Sequence, residues 1–251
     1  MLQSIKLNIG KILTSRVVYR TIVKPTIKNG CVRTSKGYVN VDDQSIYIQS
    51  LLFWRIYENS ERRLIERYLR KDCPVIELGA SIGMTTLTIC KVVEGNIPVI
   101  SVEANPTLIP SLLKTKNINK LDNLEIVNAA IDYGPDKEVS FIIDDNNLGS
   151  QKGVTDKSVS IPGIRLSDIL RRGNIGRYAL VSDIEGAELE MVLCENDPAV
   201  FGNCTQIIME IHDTTYNGKQ YTKKDIVASI IERFSMQIIF NDNDTWVFEK
   251  K

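Results

Sequence analysis

The 251-residue chain contains a single histidine, His212. That scarcity excludes zinc sites built on three histidines and iron sites built on a two-histidine triad. Asp183, Glu210 and His212 offer oxygen and nitrogen donors suited to magnesium or manganese, but no pattern calls for one, and no metal is expected. The five cysteines include no Cys-x-x-Cys pair and are odd in number. Both facts argue against a disulfide scaffold or a zinc ribbon and for reduced thiols in a cytoplasmic protein. No apolar run reaches the length of a membrane span, and the N-terminus lacks the apolar core and cleavage pattern of a signal peptide. Formal net charge is zero, so the whole molecule carries no bias toward nucleic acid. Acid is missing from one stretch in particular. Between Met1 and Val41 there are eight Lys or Arg residues and no Asp or Glu.

What is present begins with Val75-Ile76-Glu77-Leu78-Gly79-Ala80-Ser81-Ile82-Gly83-Met84-Thr85-Thr86. A short apolar run, a glycine-punctuated turn and a helical pattern read as a buried strand, a tight loop and a helix N-terminus. Dinucleotide-binding loops use G-x-G-x-x-G, with the pyrophosphate at the helix N-terminus; Gly79 and Gly83 do not have that spacing. Glu103 follows a second apolar strand, Pro98 to Val102, and an acid there accepts hydrogen bonds from ribose hydroxyls. The implied ligand has a ribose and needs no pyrophosphate. S-adenosylmethionine fits.

Five blocks carry a family resemblance: Val75 to Thr86; Val102-Glu103-Ala104-Asn105-Pro106; Leu124 to Ile131; Val181-Ser182-Asp183-Ile184-Glu185-Gly186-Ala187-Glu188; and Ile207 to His212. In this order they resemble the FkbM-type family of S-adenosylmethionine-dependent methyltransferases. The chain departs from the family pattern at Glu77 (usually Asp), Ser81 (often Asn) and Ser182 (commonly Lys). The resemblance implies an α/β, class I (Rossmann-like) methyltransferase fold: a mostly parallel seven-stranded sheet with a C-terminal antiparallel hairpin.

The periodicities divide the chain at about residue 72. Residues 1–72 read as an N-terminal basic helical extension and cap. Leu2, Ile5, Ile9, Ile12, Leu13 and Val17 fall at near-helical spacing, Lys36 to Val41 forms a strand or hairpin arm, and Glu58 to Arg70 forms a charged helix. Residues 73–251 alternate strand and helix, as a parallel sheet with helices on both faces requires. Strands are expected near 74–79, 97–103, 124–129, 178–183 and 205–211. Helices are expected near 83–94, 107–119, 166–173, 186–194 and 222–233. Residues 139–143 and 159–161 read as an inserted antiparallel excursion, and 236–240 with 245–248 as a terminal hairpin.

In open parallel sheets ligands sit beyond the carboxyl ends of the strands. By the resemblance, Glu77, Gly79, Ser81 and Gly83 surround the amino-acid end of the cofactor, with Glu77 or its hydrogen-bonded surroundings helping to hold the ammonium. Glu103 takes the ribose, beside Asn105. Asn128, Ala129 and Ala130 lie where adenine would, with Asp132 a further candidate. Asp183 ends the fourth strand, facing both cofactor and acceptor; Glu185 and Glu188 follow, where a helix dipole alone would explain carboxylates. His212 and Glu210 alternate onto one side of a strand. Neutral imidazole is the usual general base, so His212 is the candidate base, Glu210 its orienting partner and Asp183 the alternative base.

The chain has no Asn-Pro-Pro-Tyr or Asp-Pro-Pro-Tyr, motifs associated with amine methylation, and no Pro-Cys pair for attack on cytosine. A hydroxyl acceptor is therefore expected, on a sugar, a glycan or a small natural product. Two alternatives stand beside that reading. One is an RNA methyltransferase using the basic arm on phosphates, which sparse aromatics in the arm disfavour. The other is a non-catalytic, cofactor-binding assembly subunit. Residues 1–24 also suit peripheral contact with an anionic membrane, or packing on the domain or on a second copy in a homodimer.

Overall fold

The computed structural model describes residues 10–57, 59–93, 95–143, 151–152, 158–184, 186–242 and 244–251, without the side chains of 59, 151 and 152. Its centre is a seven-stranded sheet. In chain order the strands are β1 (Val75–Leu78), β2 (Val99–Glu103), β3 (Leu124–Asn128), β4 (Tyr178–Ser182), β5 (Cys204–Glu210), β6 (Met236–Asp242) and β7 (Thr245–Lys250). Their spatial order is β3-β2-β1-β4-β5-β7-β6. Neighbours from β3 to β5 pair in parallel, whereas β7 runs antiparallel to both β5 and β6. This is the Rossmann-like arrangement with a C-terminal antiparallel hairpin that the resemblance implies. Every residue of β1, β2 and β4 is buried, as expected of strands covered by helices on both faces.

Two apolar layers flank the sheet. On one face Val75, Val99, Val181 and Ile208 pack with Met84 and Leu87 of α3 (Met84–Val93). Residues from before the sheet join this layer. They include Val32 and Val39 of the hairpin 31–33/38–40, Ile48 and Leu52 of α1 (Ile46–Phe53), and Leu64 and Ile65 of α2 (Asn59–Tyr68). The opposite face is covered by α5 (Leu166–Arg172), α6 (Glu188–Cys194), α7 (Pro198–Asn203) and α8 (Lys223–Phe234). Helix α4 (Ile109–Asn119) links β2 to β3. The inserted excursion is a small sheet in which 138–142 pairs antiparallel with 158–164 and 151–152.

The basic segment differs from the single amphipathic helix its periodicity predicts. Leu2, Ile5 and Ile9 lie outside the described residues. From Arg16 the chain makes an α turn, a π turn over Tyr19–Val23 and a 3₁₀ turn over Lys24–Thr26. Three anchors set its orientation: Trp54 Nε1 donates to the Leu13 carbonyl at 3.1 Å, the Tyr19 hydroxyl donates to Gln49 at 2.7 Å, and Val23 is fully buried. Of the apolar stripe, Ile12 and Val17 stand 62% and 72% exposed. The charged helix starts at Asn59 and stops at Tyr68, with Glu58 outside the described residues.

Candidate functional site

The loop after β1 is shaped by its backbone. The N–H groups of Gly79 and Ala80 both donate to the Val102 carbonyl, at 2.9 and 3.1 Å, and Gly83 N donates to Ala80 O at 2.9 Å. The loop thus closes over the end of β2. Gly79 has φ +87°, and a Cβ there would come within 1.9 Å of the Asp183 carbonyl oxygen. Gly83, at φ +86°, faces Leu112 of α4, whose Cδ1 would stand 2.5 Å from an added Cβ. Both dihedral angles favour glycine, and at Gly79 the main-chain obstacle leaves no room for a side chain. Between them Ser81 sits at φ +48°, a strained conformation for a residue with a side chain.

Glu103 lies between two strand ends. Its Oε2 accepts the Ser81 N–H at 2.6 Å and its Oε1 accepts the Asn105 N–H at 2.7 Å. Burial pushes the carboxyl above its ordinary pKa, while the N–H groups of Asn105, Ser81 and Ala104 pull it down. Each carboxylate oxygen has a second acceptor direction, so Glu103 can serve both loops and still receive two hydroxyls of a ligand.

The other predicted residues of this edge have structural bonds of their own. Glu77 Oε2 accepts from Thr86 Oγ1 at 2.7 Å and from the Ser101 hydroxyl, tying α3 to β2 beneath the loop. Asn105 Oδ1 accepts from the Thr107 N–H at 3.0 Å and hydroxyl at 2.7 Å. Asn128 Nδ2 donates to the carbonyls of Glu103 at 2.8 Å and Ala104 at 3.1 Å. Ala129 is buried and donates its N–H to the Glu103 carbonyl at 3.2 Å, while Ala130 pairs with Gly163 in a short parallel bridge. Asp132 Oδ2 accepts the Gly134 N–H at 2.9 Å.

At the next strand end, Asp183 is half-buried and donates its N–H to the Leu78 carbonyl at 3.0 Å. Glu185 lies outside the described residues. Glu188 is buried and accepts from Ile184 N at 2.7 Å and Gly186 N at 2.8 Å, so it shapes its own loop. Burial raises its pKa, against the N–H of Ile184 and, more weakly, the nearby His212. Past the end of β5, His212 Nε2 lies 3.2 Å from Glu210 Oε1, both side chains partly exposed. The lone imidazole and the carboxylate two residues before it are thus brought together.

The sequence reading missed Tyr57 and Glu61. The Tyr57 hydroxyl stands 3.3 Å from Ser81 Oγ, and Glu61 Oε2 accepts from Thr85 Oγ1 at 3.1 Å. Their partners lie 24 residues away along the chain, and no local pattern marks such a contact.

No known protein family matches this sequence, and no curated protein does. Solved structures resemble it in fold at low identity. Fibrillarin from Aeropyrum pernix, crystallised with natively bound S-adenosyl-L-methionine, is 12% identical over 75% of this chain and 72% of that one, with a TM-score of 0.44. A protein of the NADB-Rossmann superfamily from Streptococcus agalactiae is 11% identical over 76% and 67%, with a TM-score of 0.46. Precorrin-6y C5,15-methyltransferase from Geobacter metallireducens GS-15 is 12% identical over 77% and 87%, with a TM-score of 0.41. At these values none of the three bears on the chemistry of this chain.

Proposed function

We propose that the chain is an S-adenosylmethionine-dependent O-methyltransferase whose acceptor is a hydroxyl of a sugar, a glycan or a small natural product. The observation that carries this reading is Glu103. A buried carboxylate joins the turn after β1 to the turn after β2, at the carboxyl edge of a parallel sheet. That geometry suits two adjacent ribose hydroxyls, with Gly79 and Gly83 giving backbone access and Asn128, Ala129 and Ala130 bordering the adenine.

Methyl transfer from a sulfonium needs alignment of nucleophile, methyl and leaving sulfur, plus removal of one proton when the acceptor is a hydroxyl. In this reading the His212 imidazole takes that proton through Nδ1, while Nε2–H is held by the Glu210 carboxylate, which stabilises the imidazolium that results. Asp183 lines the floor between cofactor and acceptor. Five free thiols suit a reducing cytoplasm. Residues 1–72 form a cap, with dimerisation a further role for its exposed side.

The basic arm, with Lys11, Arg16, Arg20 and Lys24 exposed, favours one second reading, RNA as acceptor. Calorimetry and methyl transfer test both. Glu103→Ala is expected to lose about 1.5–3 kcal/mol of S-adenosylmethionine affinity, and unchanged affinity would remove the central assignment. Labelled methyl appearing in RNA and not in glycans or hydroxylated small molecules would replace the acceptor class. Binding without transfer to any acceptor would leave a cofactor-binding subunit.

A further inference from the structure

Three buried polar side chains from ahead of the sheet gather at the Gly79–Gly83 loop. The Tyr57 hydroxyl meets Ser81 Oγ at 3.3 Å, and Glu61, only 4% exposed, accepts from Thr85 Oγ1 at 3.1 Å. Arg62, also buried, donates from Nη1 to the Tyr57 carbonyl at 3.3 Å and so fixes the main chain that presents the Tyr57 ring. Leu64 and Ile65 of α2, with Leu69 just past its end, already anchor the helix in the apolar layer. Burying a carboxylate and a guanidinium in its first turn adds a desolvation cost that anchoring does not require. Ionisable groups buried beside a ligand loop are candidates for a functional site.

The position of Ser81 gives these groups a ligand. Its N–H is held by Glu103 at 2.6 Å, while its hydroxyl meets Tyr57. One residue therefore separates the carboxylate suited to ribose from the residues contributed by the extension. S-adenosylmethionine continues from its ribose through sulfur to a carboxylate and an ammonium. The ten-residue helix α3 begins at Met84, and its N-terminal dipole favours the carboxylate. The ammonium needs a negative partner, and Glu77 is turned toward Thr86 and Ser101. Glu61, bonded to Thr85 in the first turn of that same helix, has the complementary charge.

We propose that Tyr57 and Glu61 form the wall around the amino-acid end of the cofactor, with the Glu61 carboxylate facing the ammonium. The inference rests on the cofactor reading above and makes the residues before the sheet part of the binding site. The test is calorimetry on the full chain with two ligands. S-adenosylmethionine carries the amino-acid end; 5′-methylthioadenosine keeps adenine, ribose and sulfur without it. Glu61→Gln retains an acceptor for Thr85 and removes only the charge. It should weaken S-adenosylmethionine binding by roughly tenfold or more and leave 5′-methylthioadenosine unchanged, with the free protein melting as wild type does. Tyr57→Phe should show the same selectivity with a smaller loss. Wild-type affinity of Glu61→Gln for S-adenosylmethionine overturns the proposal. So does an equal loss for both ligands, which would mean a distorted loop. Wild-type protein that binds neither ligand overturns the cofactor reading itself, and the wall falls with it.

Discussion

Gly79 and Asp183 approach so closely that the smallest side chain at position 79 would lie inside the contact radius of the Asp183 carbonyl oxygen, at 1.9 Å. The approach follows from register. Leu78 pairs with Ser182, and Asp183 N donates back to Leu78 O at 3.0 Å, so the chain leaving β1 must turn against the backbone leaving β4. The obstacle is main chain, which cannot rotate away as a side chain can. Gly79→Ala therefore combines a steric clash with an unfavourable φ and should destabilise the fold by roughly 2–4 kcal/mol. Denaturant titration measures the cost, and a midpoint equal to wild type would mean that the two strand ends yield easily.

His212→Ala is expected to slow turnover by about 10²–10⁴-fold, the usual loss for a general base, while S-adenosylmethionine affinity stays at the wild-type level. Glu210→Gln keeps a group beside Nε2 and removes the charge that favours the imidazolium, so its turnover should fall less. Single-turnover methyl transfer separates the chemical step from binding. Wild-type turnover in His212→Ala would move proton removal to Asp183 or leave alignment as the sole contribution.

Protonation of Glu103 should affect free protein and complex in opposite directions. Its folded-state pKa is raised from 4.5 by burial, so the ligand-free fold favours the neutral carboxyl. From this group, stability is greatest below pH 4.5 and declines as pH rises through the raised value. Ribose hydroxyls donate to the ionised form, so cofactor affinity is full above the raised value and falls below it. Calorimetric titrations from neutral pH downward should show that fall in wild type and not in Glu103→Ala. Parallel curves for the two proteins would assign the pH dependence to another group.

The exposed side of the basic segment predicts a contact of its own. Ile12, Val17 and Ile22 stand out among Lys11, Arg16, Arg20 and Lys24, with no acid before Asp42 to offset them. Vesicles containing phosphatidylserine should retain the protein at low salt, and phosphatidylcholine vesicles should not. The retention should fade over the range in which salt screens surface charge. Replacing the four basic residues with Gln should abolish it without changing cofactor affinity. Equal recovery on neutral and anionic vesicles would leave no role for charge.

The strands of the central sheet were legible because burial on both faces imposes mostly apolar runs, as at Val75–Leu78, broken only by Glu77, and Tyr178–Val181. The position of Glu103 at a strand end was legible because the apolar run before it stops there. Two smaller elements carried signals that went unused. Asn217 and Gly218, both at positive φ, join the short strands Thr214–Tyr216 and Lys219–Tyr221 in the manner of an Asn-Gly hairpin. Asp197 caps the Pro198 helix, accepting the Ala199 N–H at 2.9 Å. Other features had no local signature. The bonds of Glu77 to Thr86 and of Tyr57 to Ser81 join segments whose proximity is decided only when helices settle on the sheet, and that of Glu77 to Ser101 depends on strand register.

The strand order β5-β7-β6 has a consequence for how the molecule is made. A ribosome delivers β6 before β7, yet β7 occupies the place between β5 and β6. Until residues 245–250 emerge, β5 has no neighbour on that side, and the Ile238-Ile239-Phe240 stretch of β6 has no partner strand. An open strand edge beside an apolar stretch is a template for pairing with other chains. Sheet completion is thus a late insertion rather than a step-by-step addition, and the nascent chain is most exposed to misassembly in the interval between the synthesis of these two strands.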